Sequence, residues 1–350
     1  MASAHTASLA PFLPRRPRDT LGRPLSDLRI SVTDRCNFRC PYCMPRERYH
    51  EHYRFLKSSE RLSFEEIVRL TRLFLQLGAR KLRITGGEPL LRAGLADLIG
   101  DLTTLPGVDD VALTTNGVLL PQHAAELRAA GLQRVTVSLG SLDQQVFARM
   151  AGELGSPDEV LAGIAAAQRA GLSPIKINAV VQRGVNDHTV LPLLEHFRGT
   201  GITVRLIEYM DVGSRNEWQR AQVVPSAELL TLIGARWPLL PLERDHVSEV
   251  AERHAYADGA GEIGLISSVS QPFCGDCSRA RLSSDGVLYT CLFATHGLDL
   301  RAPLRAGASD DELLALIRAC WVARADRYSE LRGQAGAPAA PRVEMNHVGG

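Results

Sequence analysis

The chain has 350 residues, 45% of them hydrophobic, and a formal net charge of +1 at pH 7. That length holds one large α/β domain with an appendage, or two domains, around a sizeable core, and near-neutral charge excludes a broad polyanion-binding face, so nucleic acid is not an expected partner. No run of 18 apolar residues suggests a membrane span and no apolar leader marks the N-terminus, so a cytoplasmic protein without a membrane partner is expected.

Residues 1–20 carry Pro11, Pro14 and Pro17 without apolar periodicity and read as a flexible arm. LRISV at 28–32 predicts the first strand, and a helix is expected from Ser63, where S-F-E-E forms a capping box and Gly78 a stop. KLRIT (81–85), DVALTT (110–115), RVTVSL (134–139), IKINAVV (175–181) and TVRLIEY (203–209) predict further buried strands, with helices expected over 121–130, 158–170 and 188–199 among others. Six strands alternating with helices predict an α/β fold with a parallel sheet and right-handed crossovers, either an incomplete barrel or a strongly curved open sheet. A full eight-stranded barrel needs two more units. Beyond Asp211 the rhythm stops, Ser309–Arg327 predicts one more helix with S-D-D-E as its capping box, and the Pro- and Gly-rich end reads as flexible.

Seven cysteines form two tight groups and a singleton, a pattern that suits metal ligation in a reducing compartment better than a disulfide framework. Cys36, Cys40 and Cys43, spaced C-x3-C-x2-C in the loop after the first strand, offer three thiolates with no obvious fourth. A cubic iron–sulfur cluster normally takes four, one per iron, so three leave an iron open. A zinc knuckle completed by His50 or His52 is the alternative. Cys274, Cys277 and Cys291 repeat the arithmetic as C-x2-C-x13-C, with His296 available to a zinc site.

TGGEP at 85–89 joins a strand to the next helix; its glycines let a ligand approach the main chain and Glu88 offers an acceptor for an ammonium group, although a plain tight turn has the same signature. Arg279 and Arg281 follow the second cysteine pair, and arginine forks suit phosphate or purine acceptors. Arg29, Lys81, Arg83, Lys176 and Arg205 lie within or at the ends of strands, where a cation must be paired or face a ligand. Together they predict a polyphosphate pocket. Cys320 reads as a buried apolar thiol.

From LGRPLSDLRISVTDRCNFRCPYCMP through ITGGEPLLR, LTTNG, VQRGVND, RLIEYMDVG and SVSQPFCGDCSRARLSSDG to the terminal GG, the chain resembles the radical S-adenosylmethionine superfamily and, within it, the GTP 3',8-cyclase family. The resemblance implies an incomplete (βα)6 TIM-like barrel over residues 21–240, a C-terminal region over 241–332 carrying a second cluster, and a tail over 333–350 whose Gly349–Gly350 supports turnover. It implies two [4Fe-4S] clusters, one held by Cys36, Cys40 and Cys43 to cleave S-adenosyl-L-methionine and an auxiliary one held by Cys274, Cys277 and Cys291. Tyr42, Gly87, Ser138 and Met210 match positions that contact the cosubstrate; Arg29, Arg83, Thr114, Lys176, Arg279, Ala280 and Arg281 match positions that bind GTP. The implied reaction is abstraction of hydrogen from C3' of GTP and attack of the ribose radical on C8 of guanine, the first step of molybdenum cofactor biosynthesis. Its implied partners are GTP, an electron donor of unknown identity and the next enzyme of molybdopterin synthesis, with a homodimer left open. A peptide-modifying relative with an auxiliary cluster, or a non-catalytic zinc-binding module, are the competing readings. One departure stands out: where the family reads SLD, this chain has Ser138, Leu139 and Gly140, with Asp143 three residues on.

Overall fold

The structure is a computed structural model that describes residues 16–214, 216–245, 249–332 and 341–350. Strand β1 (Asp27–Ser31) precedes the cysteine loop; then come α1 (Phe64–Gln76), β2 (Lys81–Thr85), α2 (Leu95–Thr103), β3 (Asp110–Thr115), α3 (Leu120–Ala129), β4 (Arg134–Ser138), α4 (Gln144–Ala151), α5 (Pro157–Arg169), β5 (Ile175–Val181), α6 (Val190–Phe197) and β6 (Thr203–Glu208). The chain continues through α7 (Ser226–Arg236), β7 (Leu239–Leu242), β8 (Glu252–Tyr256), β9 (Glu262–Ile266), β10 (Arg279–Leu282), β11 (Val287–Tyr289), β12 (Leu298–Asp299), α8 (Arg301–Arg305), α9 (Asp310–Val322), α10 (Tyr328–Leu331) and α11 (Met345–Val348). Helix α1 begins at Ser63, whose hydroxyl accepts from the Glu66 N–H while Glu66 accepts from the Ser63 N–H, as the capping box predicts.

All strands form one sheet in the order β12-β11-β10-β1-β2-β3-β4-β5-β6-β9-β8-β7. The eight from β10 to β9 are mutually parallel. The two parallel strands missing from the six-unit count therefore exist, but they come from the C-terminal region and attach at opposite edges. The ring stays open because β9 and β10 each pair outward with an antiparallel neighbour instead of with each other. The expected boundary at residue 240 falls inside β7, and the region beyond it extends the same sheet.

Alternation along each strand decides what fills the interior. Leu28 and Ile30, Leu82 and Ile84, and Ile177 and Ala179 are buried in the hydrophobic core beneath the helices. Asp27, Arg29, Lys81, Arg83, Lys176, Asn178 and Arg205 take the other face and line a cavity. A closed eight-stranded barrel packs this space with branched apolar side chains; charged residues cannot pack that way, and here the space is open. Glu208, fully buried at the end of β6, accepts from the backbone N–H groups of Ser226 at 2.9 Å and of Val269 and Ser270 at 2.8 Å, tying the last barrel strand to two later segments.

Several expectations need adjusting. The predicted helix over Ser309–Arg327 ends at Val322. The arm expected over 1–20 is anchored at its end, since the fully buried Asp19 carboxylate meets Arg23 at 2.5 Å and Arg324 at 3.3 Å; residues 1–15 lie outside the described residues. The flexible tail expected over 333–350 does not fit residues 341–350, where Asn346 and Val348 are buried; 333–340 lie outside the described residues. Among the described residues, no helix is long and apolar enough to cross a membrane.

Candidate functional site

A cavity of about 720 Å³ runs through the open barrel, bordered by all six clustered cysteines. Cys36, Cys40 and Cys43 follow the C-terminal end of β1. Cys274 and Cys277 precede β10, which runs parallel to β1, and Cys291 follows β11, which runs antiparallel to β10. The two triads thus stand at opposite ends of the same strands, about 16 Å apart for five residues of extended chain. Sequence reasoning expected the site just after the strand ends; it occupies the depth of the barrel instead.

The GGEP loop lies against the first cysteine loop. The Gly87 N–H donates to the Thr33 carbonyl at 2.8 Å and the Glu88 N–H to the Arg35 carbonyl at 2.7 Å. A Cβ on Gly87 would sit 2.2 Å from the Arg35 oxygen, and one on Gly86, at φ +152, 2.5 Å from the Thr33 oxygen. The glycines therefore serve the close approach of two backbones, a different reason from the ligand approach expected. Glu88, expected as an acceptor for an ammonium group, already accepts from the Thr115 hydroxyl at 2.7 Å, the Asn116 N–H at 2.7 Å and the Leu90 N–H at 3.1 Å, and burial pushes its pKa up to about 7.

Tyr42, Gly87, Ser138 and Met210 all border the cavity at this end, with Gly140 and Met150 beside them. Asp143 does not replace the carboxylate absent at Gly140: it accepts from the N–H groups of Gln145 and Val146 and caps α4. A Cβ at Gly140 would fall 2.7 Å from the Met150 sulfur and methyl, so a methionine tip fills the space a longer side chain would need.

Basic residues occupy the middle. Register places Arg281, Arg29 and Arg83 side by side on β10, β1 and β2. Like charges on adjacent strands repel, and burial together with Arg281, Arg279 and Arg83 holds Arg29 well below its ordinary pKa. Arg83 falls to about 10 by burial and Arg134; Arg205 and Arg281 fall to about 9, by burial with Arg83 and with Arg279 respectively. Burial lowers Lys176 as well. Arg83 donates to the hydroxyls of Thr114 at 3.2 Å and Thr136 at 3.3 Å, and Arg205 to Thr136 at 3.2 Å, while Arg205 Nε and Asn178 Oδ1 are buried without a partner. Gly264 makes room for Arg205, since a Cβ there would lie 3.0 Å from its Cγ. Thr136 and Asn178 were missed; the alternation of RVTVS and IKINAVV puts both on the cationic face. Between two cavity-facing arginines, the same alternation turns the Ala280 side chain into the core, so only its backbone is left to meet a ligand.

The triads differ in surroundings. Burial raises Cys40 to about 11 and raises Cys36 and Cys43 well above their ordinary value. Cys277 falls to about 6 because Arg279 and Arg324 outweigh its burial, and Cys291 rises to about 11 by burial. Among the described residues no three His, Cys, Asp or Glu side chains gather around a single ion, whereas a cluster takes one thiolate per iron and suits spread sulfurs. His50 and His52 are exposed. Cys320, the seventh cysteine, does not border the cavity. Three thiols with no fourth at each end fit clusters that each keep an open iron.

The chain end closes over the first triad. The Asn346 N–H donates to the Cys43 sulfur, its side-chain amide donates to the Asp34 carbonyl at 3.1 Å, and the Tyr49 hydroxyl donates to Asn346 Oδ1 at 2.9 Å. Arg281 donates to the Gly349 carbonyl, and Gly350 borders the cavity. Asp211 anchors this segment, accepting from Arg332 at 2.9 Å and Arg342 at 3.0 Å.

A partial parallel barrel with three cysteines in the loop after its first strand defines a radical S-adenosylmethionine enzyme, and comparison with known proteins agrees. The family model "Radical SAM superfamily" matches residues 30–197 and "Molybdenum Cofactor Synthesis C" matches 202–330. The solved structure of Streptococcus suis SuiB bound to S-adenosylmethionine shares the fold, with a TM-score of 0.58 at 16% identity over 85% of this chain and 68% of that one. Proteins named GTP 3',8-cyclase are 54% identical in Xanthomonas axonopodis pv. citri, 51% in Acidothermus cellulolyticus and 44% in Staphylococcus aureus, each over 95% of this chain and at least 98% of the relative. The chain belongs to the GTP 3',8-cyclase family.

Proposed function

We propose that the chain converts GTP to (8S)-3',8-cyclo-7,8-dihydroguanosine 5'-triphosphate, the first step of molybdenum cofactor biosynthesis, inside the cationic barrel. The observation that carries this reading is the row of buried arginines between two three-cysteine sets. Cys36, Cys40 and Cys43 hold the cluster that, when loaded, cleaves S-adenosylmethionine to the 5'-deoxyadenosyl radical, a chemistry supplied by the cofactor. Tyr42, Gly87, Ser138 and Met210 shape the cosubstrate end. Arg29, Arg83, Lys176 and Arg205, with Thr114 and Thr136 orienting two of them, neutralise the triphosphate; Arg279 and Arg281 hold the nucleotide toward a second cluster on Cys274, Cys277 and Cys291. Buried cations relieved by an anion gain far more than surface ones, because the desolvation is already built into the empty fold. Residues 341–350 exclude water from the space between the two ends, and rigid strands on both sides fix the reactants' separation. Free thiols in both triads suit a reducing cytoplasm, and the reaction needs a one-electron donor.

The test is anaerobic reconstitution followed by an assay for 5'-deoxyadenosine. The expected result is about eight irons per chain, four per cluster, and GTP-dependent formation of deoxyadenosine and cyclic product. In Cys274→Ala, product disappears while uncoupled cleavage persists. Full iron loading with no dependence on GTP would overturn the reading.

A further inference from the structure

Beside the second cysteine triad, at the border of the same cavity, stands a buried ion network built from residues outside the arginine row. Arg324, with 1% of its side chain exposed, donates from Nη2 to the Cys277 sulfur at 3.2 Å and from Nη1 to the Cys277 carbonyl at 2.6 Å. Arg23, at 2%, donates to the Cys274 carbonyl at 2.7 Å and the Asp326 carbonyl at 2.9 Å. The Asp19 carboxylate, fully buried, lies between the two guanidinium groups. Trp321 covers the assembly: its ring stacks under Arg324 at 4.7 Å and its indole N–H donates to the Arg23 carbonyl at 3.3 Å. Two arginines meet two carboxylates here, the buried Asp19 and the partly exposed Asp326, whose Oδ2 lies 3.5 Å from Arg324 Nε; buried guanidinium groups are costly unless negative groups adjoin them, and Arg324 touches one further group that can carry negative charge. That group is the Cys277 sulfur. Among the described residues no arginine side chain donates to a sulfur of the first triad; its charged neighbours are Arg39, near Cys36 and Cys40, and the Glu88 and Glu344 carboxylates.

We propose that Arg324 is a positioning residue for the second cluster, which it holds by a charged hydrogen bond to a ligating thiolate and whose reduction potential it raises, with Asp19 setting how much of that charge the cluster feels. The inference rests on the second triad binding a cluster. A cation and a hydrogen bond at a ligating sulfur stabilise the reduced, more negative state and strengthen retention of the metal. It also gives residues 19–23 a role: they close the wall behind the cluster.

The experiment is an EPR-monitored redox titration of the reconstituted enzyme, following the signal that GTP perturbs, alongside iron release to a chelator. In Arg324→Gln the potential of that signal falls and half of the iron is bound about 10- to 100-fold more weakly, the other half unchanged. Arg324→Lys keeps the charge without the fork and retains the wild-type potential while still losing iron faster. Asp19→Asn moves the potential upward, opposite to Arg324→Gln. A merely structural role would shift Gln and Lys variants alike, and that result, or a wild-type potential in Arg324→Gln, overturns the proposal. If the wild-type enzyme binds only half the expected iron, the second cluster itself fails and the proposal falls with it.

Discussion

Replacing Arg205 by methionine should make the substrate-free protein more stable and a worse binder of GTP. Burial, with Arg83 and Arg134 beside it, lowers this guanidinium from 12.5 to about 9, and at about 1.4 kcal/mol per pH unit the folded state carries a cost on the order of 5 kcal/mol at neutral pH. Arg205 borders the cavity, and water there screens part of this. The variant also gives up the 3.2 Å bond to Thr136, about 1 kcal/mol. Methionine conserves the stem that packs on Gly264, leaving a net gain of about 2 kcal/mol, a rise of roughly 3 °C in Tm at this chain length. Since the folded pKa is depressed and the group is basic, the gain is present throughout the pH range below about 9. GTP should bind about 10- to 100-fold more weakly, as expected for one lost charged contact to phosphate. Differential scanning fluorimetry without nucleotide, and calorimetric titration with it, check the two halves. A lower Tm in the absence of GTP, or unchanged affinity, would refute the argument that the arginine row is held in repulsion until an anion arrives.

Gly87→Ala forces a Cβ to within 2.2 Å of the Arg35 carbonyl oxygen, which should cost about 2–4 kcal/mol through displaced backbone bonds and overpacking and strip iron from the first triad alone; a thermal melt with iron analysis decides, and wild-type values for both would count against the packing role. Burial lifts Glu88 to about 7, so as an acid with a raised folded pKa it contributes most stability below its ordinary 4.5 and loses it as the pH climbs to 7. Glu88→Gln should flatten that slope in urea unfolding at pH 5 and pH 7; an unaltered slope contradicts the shift. Deleting Gly349 and Gly350 takes from Arg281 its carbonyl partner and should lower product formation about 10- to 100-fold through misplacement, with iron content and Tm unchanged; full turnover in the deletion variant would assign the tail no part in the reaction.

The six barrel strands, three of them with the bounds expected, and the cysteine spacings were legible from residue order alone. Alternation of apolar with polar residues and the separation of ligands within one loop are local properties, written where they act. The helix at Ser309 and its capping box were equally local, although its end at Val322 was not: Arg324 and Asp326 leave the helical register to reach Cys277, Asp19 and Thr290.

What the order of residues could not state is anything that depends on which distant segments meet. Strands β9 and β10 look like ordinary short runs, and only their pairing with β6 and β1 makes the sheet eight parallel strands wide yet unclosed. The alignment of Arg281 with Arg29 and Arg83, the burial of the Ala280 side chain in the core, and the seating of Asn346 on Cys43 all follow from long-range register. Spacing named the sulfur chemistry because a single loop supplies each short motif; the fold alone decided that two such motifs, some 230 residues apart, face each other along one charged channel. The physical reason is that a strand's neighbour is chosen by burial of its apolar face across the whole sheet, a condition no window of the sequence contains.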